Sequence, residues 1–224
     1  MNRRSILAML SALPAALAAG SAFAAAPYKP KLKQFTSLFD GKSLDGWQKL
    51  TSYSGDDGKW EVIKGNIAGD QYPEGKGGLL VTEKEYSDFE AYVEVKADFP
   101  IDSGLFLRVQ PDVLSYQITI DYRKDGELGA IYCPGGGEFL SHYKDGEKLW
   151  KKGAYNTVVA RIEGQPAHIQ AWINGVQVQD YTDTPLNGKD RVPKTGVFGI
   201  QVHPGDSWGK GNKVWFRKIM IREI

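Results

Sequence analysis

Three histidines, one cysteine and a scatter of carboxylates, amides and arginines are the reactive side chains of this 224-residue chain, and most of their obvious groupings fail on spacing. His142, His168 and His203 form no H-x-H or H-E-x-x-H pattern, so no metal site is legible locally. Cys133 has no neighbour that would lower its pKa and reads as a small apolar filler. Gly205-Asp206-Ser207-Trp208-Gly209 fits the G-x-S-x-G nucleophile pattern. That pattern needs a helix behind the serine and a histidine downstream, whereas here a glycine-rich loop and a strand pattern follow. Gly135-Gly136-Gly137 lacks the Lys-Ser/Thr of a phosphate cradle. Glu90 and Glu94 stand two alternations apart on a strand pattern, too far for the paired carboxylates of an ordinary glycosidase.

What remains is parity. SGLFLRVQPDVLSYQITID, residues 103–121, reads as two strands joined through Pro111-Asp112. Successive strand side chains point to opposite faces, so Leu105, Leu107 and Val109 share one side and Phe106, Arg108 and Gln110 the other. Tyr116, Ile118 and Ile120 alternate in the same way with Gln117, Thr119 and Asp121. Further on, Gly199, Gln201 and His203 alternate with Phe198, Ile200 and Val202, and His168, Gln170 and Trp172 with Ile169, Ala171 and Ile173. Together with Tyr132, the polar sets supply bidentate donors, amides, a base and flat rings. Such groups grip sugars, planar polar groups for the hydroxyls and aromatic faces for the C–H surfaces. An ordinary solvated sheet surface has the same composition, and both readings stand at this point.

The elements that must carry these residues are strands. Phe89, Ala91, Val93 and Val95 alternate strictly with Glu90, Tyr92, Glu94 and Lys96, and Asn174-Gly175 between alternating segments marks a hairpin. Only EKEYSDF and KDGEKLWKK have room for a helical turn. About a dozen short strands with Gly and Asp turns, in a length suited to one domain, predict an all-β, antiparallel β-sandwich over residues 35–224. Residues 27–34 read as a linker. Residues 1–26 combine Arg3-Arg4, an apolar run and small-x-small sites, and so read as an export signal with a loose twin-arginine likeness. Its removal turns the formal charge from +1 to −1, with no basic stripe for nucleic acid or anionic lipid. One cysteine allows no internal disulfide, and none lies at the cleavage site to take a lipid anchor. A periplasmic or secreted protein is expected; its oligomeric state is not legible.

The order of motifs resembles the 3-keto-disaccharide hydrolase family of secreted bacterial proteins. It runs FTSLFDGKSLDGW, SDFEAYVEVK, SGLFLR, SYQITID leading to GAIY, YNTVVARIEG with HIQAWINGVQV, GVFGIQVHPG and VWFRKIMIREI. The resemblance implies a concanavalin A-like jelly roll and cleavage of glycosides already oxidised at C3 of a glucose unit. A C3 ketone acidifies the C2 hydrogen, so a base can remove it and the C1 substituent leaves by β-elimination, with water adding afterwards. That chemistry needs a base near neutral pKa and a positive or hydrogen-bonding group at the enolate oxygen. The resemblance leaves a divalent metal open for the second task.

Residue by residue, the resemblance implies His203 as base, Arg108 as enolate stabiliser, and Asp121 as the group that orients His203 or holds a metal. Face parity, taken with that match, adds Gln117, Gln201 and Trp172 to position the sugar, with Thr119, Tyr132, Gln170 and Trp208 completing the substrate-binding set. Two departures from the family's pattern bear on specificity: its N-S-G asparagine is Asp102, and its Y-E-x-Q-I pair is Gln117 and Thr119. The alternatives are a non-catalytic carbohydrate-binding module on the same fold, or a structural sandwich that meets another protein.

Overall fold

The structure, a computed structural model, describes residues 26–50 and 58–224. Apart from Ala26, the expected export signal lies outside the described residues. In chain order the strands are β1 (Thr36–Ser37), β2 (Trp47–Lys49), β3 (Lys59–Ile63), β4 (Asn66–Asp70), β5 (Gly78–Tyr86), β6 (Phe89–Ala97), β7 (Ile101–Val109) and β8 (Tyr116–Tyr122). There follow β9 (Leu128–Cys133), β10 (Glu138–Ser141), the short helix α1 (Gly146–Leu149), β11 (Asn156–Glu163), β12 (His168–Ile173), β13 (Val176–Thr182), β14 (Gly196–Val202) and β15 (Val214–Glu223). All pair antiparallel in two sheets. One runs β13-β12-β11-β6-β15-β4-β3 with β1 on β15, the other β10-β9-β8-β7-β14-β5-β2.

The two sheets face each other across one apolar core, as in a jelly-roll sandwich. Leu105, Leu107, Ile118, Ile120, Phe198, Ile200 and Val202 line it from the second sheet, and Phe89, Val93, Val95, Ile162, Ile169 and Phe216 from the first. Phe198 sits edge-on to Trp47 and Phe89 at ring distances of 6.4 and 6.3 Å. Aromatic packing of this kind adds about 1 kcal/mol per pair beyond the area it removes from water. The hairpin at Asn174-Gly175 has both turn residues at positive φ, 51° and 85°, the requirement that Asn-Gly meets with least strain. KDGEKLWKK does contain the helical turn; EKEYSDF instead continues β5 and turns into β6 at Ser87-Asp88.

Parity holds on β8 and β14 and breaks on β7. Phe106 faces Gly199 while Val109 faces Val197, so β7 carries one residue more than β14 between these pairs, a β-bulge. Arg108 is the residue at φ +55°. Beyond it Val109 joins Phe106, Leu79 and Val81 on the outer face, and Arg108 is turned off that face into complete burial. Residues 27–34, expected as a linker, lie along the outer face of the first sheet: Tyr28 stacks on Trp172 at 4.3 Å and its N–H donates to Gly175 O at 2.8 Å.

Candidate functional site

The outer face of the second sheet carries a cavity of about 220 Å³ lined by Asp102, Gln117, Thr119, Asp121, Arg123, Glu127, Tyr132, Phe139 and His203. It crosses β14, β7, β8, β9 and β10, neighbours in the sheet, so alternate residues from successive strands meet there. A cavity of about 300 Å³ under the N-terminal segment has neither histidine nor carboxylate in its lining. Of these two, only the smaller brings a histidine and carboxylates together.

Its floor is built by backbone register. Asp102 and Asp121 are direct cross-strand partners, and the His203 N–H donates to Asp102 O at 3.2 Å, so the three are locked side by side. Arg123 grips Asp121 with both arms of its fork, Nε to Oδ1 at 2.5 Å and Nη2 to Oδ2 at 2.6 Å, and reaches Asp102 Oδ2 at 3.6 Å. Asp121 raises the Arg123 pKa further through that hydrogen bond. Asp102 is mostly buried beside His203 Nε2, 3.8 Å from its Oδ2. Burial pushes its carboxyl up to about 6; His203 opposes the rise and Asp121 adds to it.

His203 Nδ1 lies 2.6 Å from Pro204 O, a carbonyl that can only accept, so this nitrogen carries the ring proton and Nε2 presents its lone pair to the cavity side. Ser207 Oγ, 2.9 Å from the same Nδ1, faces a nitrogen already protonated and gains no base there. The G-x-S-x-G stretch is a loop between β14 and β15.

Gln117 donates to Gln201 Oε1 at 3.1 Å, a pair of amides across the floor. Gly104 makes room for it, since a Cβ there would stand 2.4 Å from Gln117 Nε2. Thr119 lines the cavity, but its hydroxyl donates to Glu127 O and accepts from Ala130 N–H at 3.0 Å, holding the irregular β8–β9 register. Tyr132 and Phe139 form an aromatic wall, rings 5.0 Å apart, and Phe139 continues onto His142 at 5.0 Å.

Four sequence candidates lie elsewhere. Arg108 is 0% exposed and is bound by Ser87 O, Gly164 O, Gln165 Oε1 and Asp88 Oδ1 at 2.8 to 3.3 Å. It joins the β5–β6 and β11–β12 turns, six residues along β7 from Asp102 and hence roughly 20 Å away. The guanidinium in the cavity is that of Arg123. Trp172 belongs to the other sheet, buried under Tyr28 with Tyr92 and Val159. Gln170, on the same strand, donates to Asp180. Trp208 is only 7% exposed and packs in the core, its Nε1 donating to Asn212 O at 2.8 Å. Sequence reasoning passed over Arg123, Glu127 and Phe139, and named Asp102 only as a departure. The alternation Asp121-x-Arg123 was a readable signal for the arginine.

A divalent metal does not fit these side chains. Among the described residues no three His, Cys, Asp or Glu converge as ligands, and Arg123 holds both Asp121 oxygens.

A family model described as the 3-keto-alpha-glucoside-1,2-lyase-like domain matches residues 34–222. A search of curated proteins gives no match. Among solved structures, the carbohydrate-binding module CBM66 from Bacillus subtilis superposes with a TM-score of 0.60 at 16% identity, over 80% of this chain and 96% of the module. A putative glycosyl hydrolase from Parabacteroides distasonis gives 0.59 at 18% identity over 87% and 95%. A β-1,3-1,4-glucanase (lichenase) derived from a mouse hindgut metagenome gives 0.53 at 14% identity over 84% and 97%. At such identities the likeness is one of fold.

Proposed function

Because the chain belongs to the 3-keto-alpha-glucoside-1,2-lyase-like domain family, we propose that it is an exported enzyme that cleaves 3-keto-glycosides by β-elimination. A carbohydrate-related function follows from the family itself. The finer reading is supported above all by the convergence of His203, Asp102, Asp121 and Arg123 on one cavity beside an amide floor and an aromatic wall. Asp102 and Asp121 lie on the same floor with Arg123 reaching both, so they do not face each other across a scissile bond as glycosidase carboxylates do.

In this reading His203 Nε2 takes the C2 proton of the ketosugar. Asp102 is close enough to stabilise the imidazolium that forms. The Arg123 guanidinium offsets the charge that develops on the C3 oxygen, and its grip on Asp121 fixes its position. The C1–O bond then breaks as C1=C2 forms, and addition of water gives net hydrolysis. Gln117, oriented by the buried Gln201, meets the hydroxyls and Tyr132 the C–H face of the ring.

The test is incubation with a 3-keto-glucoside and with the same glucoside unoxidised. Release of aglycone from the ketosugar alone, with solvent deuterium appearing at C2, is the expected result. His203→Ala and Arg123→Ala should each lower the rate by about 100-fold or more. Retention of the sugar without release would make the protein a binding module instead. Export is tested separately, by N-terminal sequencing of the protein recovered from outside the cytoplasm, with a start at about residue 27 expected.

A further inference from the structure

The cavity has a second histidine–carboxylate pair, on the side away from His203. Glu127 lines the cavity and its Oε1 lies 3.0 Å from His142 Nδ1. Glu127 is held there by its backbone. Its N–H donates to Asp121 Oδ2 at 3.3 Å and its carbonyl accepts from the Thr119 hydroxyl. Gly126 lies so close over Asp121 that a Cβ would stand 2.3 Å from Asp121 O, which keeps the turn against the floor. The His142 ring is stacked on Phe139 at 29°, and Phe139 leans on Tyr132. An exposed side chain thus gains a fixed position next to the carboxylate.

β-Elimination from a ketosugar moves two protons. One leaves C2; the other must reach the glycosidic oxygen, because a sugar alkoxide is a poor leaving group. His203 accounts for the first. We propose that Glu127 supplies the second, as the general acid for the departing aglycone, and that His142 reloads it; this rests on the reading of the cavity as a 3-keto-glycoside site. The electron pair of the C2–H bond becomes C1=C2, and that proton goes to His203 Nε2. The electron pair of the C1–O bond takes the Glu127 proton, and the His142 imidazolium returns one to Glu127. Water restores both histidines, so the balance closes without a further reagent. Glu127 touches the reacting oxygen; His142 acts through it and is a positioning residue.

General acid assistance matters in proportion to how poor the leaving group is, and this gives the test. Wild type, Glu127→Gln and His142→Gln are compared on a nitrophenyl 3-keto-glucoside, whose leaving group needs no proton, and on a 3-keto-disaccharide, whose leaving group does. Glu127→Gln should lose about 100-fold on the disaccharide and under about 5-fold on the nitrophenyl substrate. His142→Gln should show the same selectivity at smaller amplitude. Equal losses on both substrates, or none, would overturn the assignment, with thermal melts showing that each variant is folded. A wild-type protein that cleaves neither substrate would overturn the enzymatic reading itself, and this inference with it.

Discussion

Asp102 is raised from 3.8 to about 6 by burial, and that shift fixes how the residue must contribute to stability. Between those two values the folded protein holds a proton that the unfolded chain releases. The contribution therefore favours folding at low pH and is lost as pH rises through about 6. Asp102→Asn removes this titration. It should stabilise the protein by about 2 kcal/mol near pH 8 and leave it level with wild type near pH 4, read from paired thermal melts. Arg108 calls for the opposite expectation from the one its sequence position suggests. It is wholly buried on one carboxylate, two backbone carbonyls and an amide oxygen, so truncation strands all of them. Arg108→Ala should cost about 3 kcal/mol or more in urea titrations, while turnover per folded molecule stays within a few-fold of wild type. A loss of turnover without a loss of stability would return Arg108 to the chemistry.

Why alternation located some of the site and missed the rest is a matter of register within elements. Period-two parity on β8 put Gln117, Thr119 and Asp121 on the outer face, and along β14 and one residue past its end it put Gln201 and His203 there, where they lie. On β7 it failed at Arg108 and Val109, since a bulge is a local insertion that no alternation reveals. Hairpin arithmetic was nonetheless available: with a turn near 111–112, Leu107 pairs with Tyr116, which leaves Asp121 far along the strand from Arg108. The floor itself yields an element-scale prediction at Gly104. A Cβ there would stand 2.4 to 2.9 Å from Nε2, Cγ and Cδ of the buried Gln117, which would have to swing aside, so Gly104→Ala should lower Tm by several degrees. It would break the Gln117–Gln201 pair, so KM for a 3-keto-glycoside should rise several-fold with kcat less affected. Gly77 is the control, because its Cβ would stand 2.2 Å from Val202 O, where only backbone could yield. Gly77→Ala should destabilise outright.

A sandwich has two outer faces, and alternation cannot say which sheet a strand joins. His168, Gln170 and Trp172 alternate as cleanly as Gln201 and His203, yet β12 lies in one sheet and β14 in the other, with the apolar core between them. The face carrying Trp172 is closed by the chain's own N-terminal segment: Tyr28 stacks on the indole and donates its hydroxyl to the buried Glu90 at 2.6 Å, and Leu32 and Phe35 pack alongside. Burial, together with that hydrogen bond, pushes the Tyr28 phenol up to about 12. The two faces should then respond independently to mutation. Trp172→Ala removes a large buried side chain and its stacking partner, and should lower stability by about 3 kcal/mol. Binding and turnover of a 3-keto-glycoside, measured well below the melting temperature, should stay within about two-fold of wild type, because distant sites without shared partners act additively. Tyr132→Ala, on the face with His203, should do the reverse, leaving the melt nearly unmoved and raising KM. If Trp172→Ala weakened sugar binding as much as Tyr132→Ala, the division of labour between the faces would fall, and the N-terminal segment would have to be read as part of a binding site.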